Sequence, residues 1–397
     1  MNKYNSLFSH SLNKFFKDKV AVVALSFLII VFFIGLFAYL IVFDATTMVN
    51  SQMLEIALKK PGFETFLLKK HKKNICNDRN ILEQIIYGKQ DCYEYIPLNS
   101  NKIIFQNDSL LFELYDESNT ADIVSFSLPD ILYPVSKIQL TDNGKIKIIT
   151  TDGKIYIRSY QDMLEEIIKE NIIKHKFILG TDNFGRDVLS RLLVGARISL
   201  SVGFVSVIIS LVIGIFFGSI SGYFGNFIDD LVMWFVNVMW SVPTLLLVIA
   251  LTMVLGKGFW QIFIAVGITM WVEVARVVRG QILSIKQKDY VEAAKVLGFS
   301  HFRIITRHIL PNVLAPVIVI SASNFASAIL IEAGLSFLGV GIQPPMPSWG
   351  NMIKENYGYM LVGLPHLAFA PGLAIMLLVL AFIIIGNALR DAFDIRS

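Results

Sequence analysis

The chain has 397 residues, of which 54% are hydrophobic and 17% charged, with a net charge of +4 and a mean hydropathy of +0.60. That balance excludes an ordinary soluble domain and points to a membrane protein. A charge of +4 over this length fits the loop bias of a membrane chain and gives no case for nucleic-acid binding.

A helix crossing a ~30 Å hydrocarbon core needs about 20 apolar residues. Residues 1–19 form a basic start, with Lys14, Lys17 and Lys19, expected in the cytoplasm. Residues 20–43 read as the first transmembrane helix: too long and too uniformly apolar for a cleaved signal, with no small-x-small site after them.

Residues 44–178 change composition, being rich in Lys, Asp, Glu and Asn and close to charge balance. Segments 50–73 and 79–88 read as helical, and 160–175 as an amphipathic helix returning to the bilayer. Between them, SKIQLTDNGKIKIITTDGKIYIRS alternates apolar and polar residues, with Asn143-Gly144 and Asp152-Gly153 where tight turns belong. That pattern predicts a three-stranded meander. The region is expected to be a small α+β domain on the extracytoplasmic face. Its cysteines, Cys76 and Cys92, are a candidate disulfide if that location holds, and two unpaired thiols if it does not.

Residues 179–397 carry five more apolar segments: 197–222, 231–255, 259–278, 313–338 and 366–388. The predicted architecture is therefore an all-α polytopic membrane protein with six transmembrane helices and the α+β domain inserted between helices 1 and 2. Six crossings would leave both termini in the cytoplasm. Loop charge agrees, since 276–308 carries Arg276, Arg279, Lys286, Lys288, Lys295, Arg303 and Arg307, whereas 339–365 holds only Lys354. Segment 223–230 reads as a cytoplasmic loop with Asp229 and Asp230 its only charges.

Ahead of the second span, Asp182 is a candidate N-cap for a helix starting near Asn183. Arg186 and Asp187 would sit at the lipid–water boundary, with Val188, Leu189, Leu192 and Leu193 facing inward, as an interfacial anchor. Gly214, Gly218 and Gly222 recur every fourth residue, a ridge for close helix packing. Glu273, near the inner end of the fourth helix, could pair with Arg276. Ser321, Ser323, Asn324 and Ser327 give the fifth helix a polar stripe, with Glu332 near its outer end. These line a water-filled translocation path or hydrogen-bond to neighbouring helices.

Between the fourth and fifth spans lies a charged hairpin, 284–312. Asp289 can cap a helix ending at Gly298, and Ser300 can cap a second helix that Pro311 would stop. In that second helix Phe302, Ile305 and Ile309 would share one face, and Arg303 and Arg307 another. Ala293 and Ala294 are small enough to admit a close partner surface. No phosphate-binding loop, H-E-x-x-H or G-x-S-x-G occurs, and the six histidines form no ligand cluster, so no catalytic residue and no metal site is expected.

Glu292-Ala293-Ala294, then Gly298, then Ile309-Leu310-Pro311, resembles the EAA signature of permease subunits of bacterial ABC importers. The blocks Gly180–Leu200 and Glu332–Ile353 and the terminal ALRDAFDIRS resemble dipeptide/oligopeptide permease subunits of the C type. The resemblance covers roughly 1–43 and 178–397, and 45–178 departs from it, because the usual connection there is much shorter. It implies a type I ABC importer permease fold in the bacterial inner membrane, translocating peptides by alternating access. It also implies a second homologous permease subunit, two ATPase subunits that bind ATP and Mg, and an extracytoplasmic substrate-binding protein. No cofactor is implied in this chain. Glu292, Ala293, Ala294, Gly298, Arg303 and Pro311 would form the coupling hairpin that docks on the ATPase. Two alternatives stay open: nickel, another chelated metal or a small solute as cargo, or a membrane-anchored sensor or enzyme acting through 44–178.

Overall fold

The computed structural model describes residues 11, 13–74, 76, 79–106, 109–116, 122–141, 145–256 and 258–393. The first long helix, α1 (Lys19–Ile41), starts where Asp18 accepts hydrogen bonds from the Val20 and Ala21 amides. It carries no charge after Lys19. Its small residues Ala21 and Ala24 lie against the last helix of the chain, where Ala381, Ile385 and Ala388 meet them.

The inserted region is a sheet domain. In chain order it holds β1 (Phe63–His71), α2 (Ile81–Tyr87), β2 (Tyr93–Gln106), β3 (Ser109–Leu114), β4 (Ile123–Ser127), α3 (Leu128–Leu132), β5 (Val135–Leu140), β6 (Ile146–Thr150), β7 (Ile155–Arg158), α4 (Tyr160–Glu166) and β8 (Ile172–Phe177). One antiparallel sheet runs β4-β3-β2-β1-β8 and a second runs β5-β6-β7. Leu68, Leu98, Leu110 and Phe112 from the first sheet and Ile146 and Ile148 from the second close one core with Leu128, Ile131 and Met163.

This corrects two sequence expectations. Only Leu54–Ile56 of 50–73 is helical, and 63–71 is strand β1; 160–175 is helical to Glu166, passes through a wide π turn at Ile167–Asn171, and ends in strand β8. The cause is non-local, because β1 pairs with β2 (Phe66↔Leu98) and with β8 (Phe66↔Lys174), which overrides a weak helical pattern. The meander over 135–158 forms, and Gly153 supplies φ +81° at the second turn. Asn143-Gly144 lies outside the described residues.

Cys76 and Cys92 are joined in a disulfide, Cα–Cα 6.0 Å, closing a loop around α2.

The bundle continues with α5 (Val188–Phe224), α6 (Asn226–Ser241), α7 (Thr244–Leu255), α8 (Phe259–Ile285), α9 (Asp289–Val296), the single turn α10 (His301–Arg303), α11 (Leu310–Phe337), α12 (Trp349–Asn356) and α13 (His366–Phe393). Among the described residues five helices are long and apolar enough to cross a membrane. The pair α6 and α7 makes a sixth only as one broken span, bent by 92°. The segment 231–255 is thus two helices. Pro243, which lacks an N–H, sits at the break and starts the second helix.

Segment 223–230 is no loop either. Gly225, at φ +70°, and Asn226, at φ +49°, turn α5 directly into α6.

Helix α5 packs on α8 through the glycine ridge. A Cβ added at Gly214 would lie 2.5 Å from the Val274 side chain, one at Gly218 2.6 Å from the Ala275 carbonyl oxygen, and one at Gly222 2.9 Å from Ile282. Only a bare backbone lets the two axes come this close.

Candidate functional site

The hairpin rests on the far end of α5 and α8. Val291, Ala294, Ile304 and Ile309 are buried against Tyr223, Val274, Val278, Ile282 and Ile285. Tyr223 Oη and His301 Nδ1 are 2.8 Å apart, and the Lys286 ammonium donates to the Gly222 carbonyl at 3.1 Å. Arg279 grips Asp229 in a fork, Nε–Oδ1 and Nη2–Oδ2 both 2.6 Å, and Ser221 also donates to that carboxylate.

The expected caps are partly displaced. Lys288 occupies the N-cap position of α9, leaving Asp289 as its first helical residue. Gly298, at φ +73°, makes the turn after α9, and Ser300 accepts the Arg303 amide. A π turn over Ile304–Ile309 shifts the register, so the inward pair is Ile304 and Ile309, whereas Phe302 is 77% exposed. Pro311 does not stop the helix. It lies in the first turn of α11, just after the π turn, where its missing N–H and its ring are tolerated.

Of the coupling residues, Glu292, Ala293, Gly298, Arg303 and Pro311 are exposed, and Ala294 points inward. The Arg303 guanidinium lies over the Phe299 ring at 4.4 Å. Apolar Val296 (88% exposed), Leu297 (70%) and Phe302 stand at the hairpin tip.

At the insertion end a buried ion cluster replaces the expected interfacial anchor. Arg186 is 2% exposed; its Nε donates to Asp182 Oδ2 at 2.7 Å, its Nη2 to Glu355 Oε2 at 2.7 Å and its Nη1 to Asn50 Oδ1 at 3.1 Å. Arg191, equally enclosed, donates to the same Glu355 oxygen at 3.4 Å and to the Val49 carbonyl at 3.4 Å. Asp182 is not the helix cap, because its Oδ1 accepts the Phe184 and Arg186 amides and builds the turn before α5.

The cap is Asp187, whose Oδ2 accepts the Ser190 amide at 3.0 Å and whose carboxyl is pushed above its ordinary range by burial. Val188 is buried and Leu189, Leu192 and Leu193 are half-buried. Gly180 and Gly185 hold the turn at positive φ, and a Cβ at Gly185 would lie 1.7 Å from the Met53 carbonyl oxygen. The cluster therefore ties the inserted domain's two ends to α12. Local sequence gives one signal for it: two arginines and an aspartate packed at the start of an apolar run.

The proposed path residues separate. Ser327 borders an open cleft, and Ser323 is exposed. Ser321 donates to the Val317 carbonyl at 2.6 Å. Asn324 and Glu332 are enclosed at 1% and 0% exposure, so neither faces an open passage in this conformation. Glu332 Oε1 accepts Ser336 Oγ at 2.7 Å, and Ser336 in turn accepts the Ile342 amide, fastening the end of α11 to the loop after it.

Glu273 is also relocated. Helix α8 runs to Ile285, so Glu273 lies near its middle, and Arg276 does not pair with it. That guanidinium donates to Asn237 at 2.7 Å and covers the Trp240 ring at 3.6 Å.

Comparison with known proteins is consistent with this geometry. Residues 214–397 match the family model for the binding-protein-dependent transport system inner membrane component. The glutathione transport system permease protein GsiD of Pectobacterium atrosepticum is 42% identical over 54% of this chain and 71% of its own length. The dipeptide transport system permease protein DppC of Alkalihalophilus pseudofirmus is 43% identical over 54% of this chain and 70% of its own. The oligopeptide transport system permease protein OppC of Bacillus subtilis is 41% identical over the same two shares.

Proposed function

The chain belongs to the binding-protein-dependent transport system inner membrane components, and from that premise we propose how its parts divide the work of a peptide-class ABC importer. It is the permease subunit, a multi-pass inner-membrane protein whose relatives are named for dipeptides, oligopeptides and glutathione. The motor lies on other chains, since this one has no phosphate-binding loop. Two ATPase subunits holding ATP and Mg, a second permease subunit and an extracytoplasmic binding protein complete the machine.

The observation that carries the reading is the hairpin. Its inner face is cemented to α5 and α8, and its tip presents Val296, Leu297 and Phe302 with Arg303 beside them. A rigid rod with an uncovered apolar tip suits force transmission to a docked partner. ATP can bias the bundle only through contacts that differ between its two states, and these are the side chains placed to make them.

Orientation follows from the same frame. The insertion joins α5 at Val188 and the hairpin packs at Tyr223, the ends of a helix of 37 residues, or about 55 Å. The two therefore lie on opposite faces of the bilayer, and the basic hairpin is the cytoplasmic one. Counting α6 and α7 as one crossing then returns both termini to the cytoplasm. The insertion is extracytoplasmic, where a disulfide persists and a binding protein docks.

The test is Gly298→Asp in the reconstituted complex. An added Cβ meets no atom within 4 Å, and a side chain at φ +73° costs about 1 kcal/mol, too little to block assembly; the expected result is loss of ATP-driven peptide uptake with the complex intact. Wild-type uptake by that variant would remove the hairpin from its role.

A further inference from the structure

Beside the break between α6 and α7 lies a cleft of about 330 Å³, bordered by Met239, Trp240, Thr244, Met270, Glu273 and Ser327. We propose that this cleft is a cation subsite on the translocation path, in which Glu273 receives the ammonium group of a peptide cargo. The proposal rests on the peptide-importer reading and deepens it.

Depth comes first. Glu273 stands 14 residues from Phe259 and 12 from Ile285, so about 20 Å of helix separates it from either end. A carboxylate inside a membrane-spanning helix is tolerated only against a partner or a wet cavity. Among the described residues Glu273 has neither a hydrogen bond nor an ion pair, and it is exposed to the cleft. The cation nearest in sequence, Arg276, is held by Asn237 and Trp240.

The surroundings select for positive charge. Helix α6 ends at Ser241 beside the cleft with no capping hydrogen bond at Val242. Its last carbonyls are the negative end of the helix dipole. Irregular backbone at this depth belongs where it lines a cavity, and C-terminal half-helix ends there favour cations. Ser327 and Thr244 add hydroxyl oxygens. Thr269, also on the wall, donates its hydroxyl to the Val266 carbonyl at 2.8 Å.

A resident metal is not indicated, since no group of three or more His, Cys, Asp or Glu side chains is assembled among the described residues. Met239 and Met270 supply adaptable apolar wall for cargo side chains of differing shape. An ammonium group is what every peptide with a free N-terminus offers, whatever its sequence.

The experiment uses the whole complex in proteoliposomes, fed an equimolar library of free-amine tripeptides, with lumenal peptide counted by mass spectrometry. Glu273→Gln is expected to lower uptake about tenfold with the complex still assembled, and Glu273→Asp to restore most of it. A second arm uses Glu273→Cys, which gives this chain a single free thiol because Cys76 and Cys92 are paired, with partner chains free of reactive thiols. Modification by a sulfonatoethyl thiosulfonate, which returns a negative charge, is expected to raise uptake; the trimethylammonioethyl reagent is expected to abolish it.

Wild-type uptake by Glu273→Gln, or equal effects of both reagents, overturns the subsite and leaves the importer reading standing. A variant that no longer holds its partner permease overturns it in favour of an intersubunit ion pair. A wild-type complex that moves no tripeptide overturns the importer reading itself.

Discussion

Arg186 and Glu355 are 169 residues apart in sequence and 2.7 Å apart in space, and the arginine is closed off from solvent. Glu355 also serves Arg191, so one carboxylate answers two enclosed guanidinium groups. Removing it leaves Asp182 to hold both guanidinium groups, a loss expected to cost about 3 kcal/mol. Glu355→Ala should therefore lower the thermal midpoint of the purified protein in detergent. Arg186→Met combined with Glu355→Leu should cost less than Glu355→Ala alone, and the reverse order would show that the pair is not what the site depends on.

The contact between α5 and α8 admits no side chain at Gly218, where a Cβ would press on a backbone oxygen that cannot rotate away. Gly218→Val is expected to destabilise by about 3 kcal/mol and to cut the yield of assembled complex. Gly280→Ala on α8, which meets nothing within 4 Å, is the matched control and should leave both unchanged.

How much of this was open to the sequence differs by element. The long spans were readable because a bilayer demands uniform apolar runs, and the ridge of Gly214, Gly218 and Gly222 because spacing by four is a helical signal. The hairpin was readable from Gly298 and Ser300, whose backbone roles are local. The five-stranded sheet was hidden, since β1 is defined by β8, over 100 residues later in the chain. Arg186 was misplaced for the same reason: its partner lies on α12, and nothing nearby in sequence announces that Glu355 will fold back to meet it. The π turn at Ile304–Ile309 shifted the buried face by one residue, an offset that ideal periodicity cannot supply.

The disulfide closes a loop of sequence separation 16, a constraint expected to stabilise the inserted domain by about 3 kcal/mol. Cys76→Ser with Cys92→Ser should make the domain more protease-sensitive near α2 and leave the bundle intact. Equal protease resistance of the two forms would show the bridge to be idle.

His175 on β8 stacks on Phe43 at 3.7 Å and meets Phe177 edge-on. Burial lowers its pKa below the ordinary 6.5, with Asp187 pulling weakly the other way. The fold thus favours the neutral ring. The stability it contributes is full above pH 6.5, falls as pH drops below that value, and stops falling once the folded-state ring is itself protonated. Asp187, whose carboxyl is pushed up by burial, works in the opposite sense as acid is added. The difference in thermal midpoint between wild type and His175→Phe should widen in favour of the variant from pH 7.5 to pH 5. A constant difference would remove His175 from the acid response.

The first and last strands of the inserted domain are neighbours, and where they leave the bundle the Gly62 amide already donates to the Phe177 carbonyl at 2.9 Å. Both ends of the domain are thus fastened at one seam, so a lineage could gain, lose or exchange it as a cartridge without rethreading the helices beneath. Ancestry of the insertion and ancestry of the transporter are separable questions, and the seam at Gly62 and Phe177 is where to look for the join.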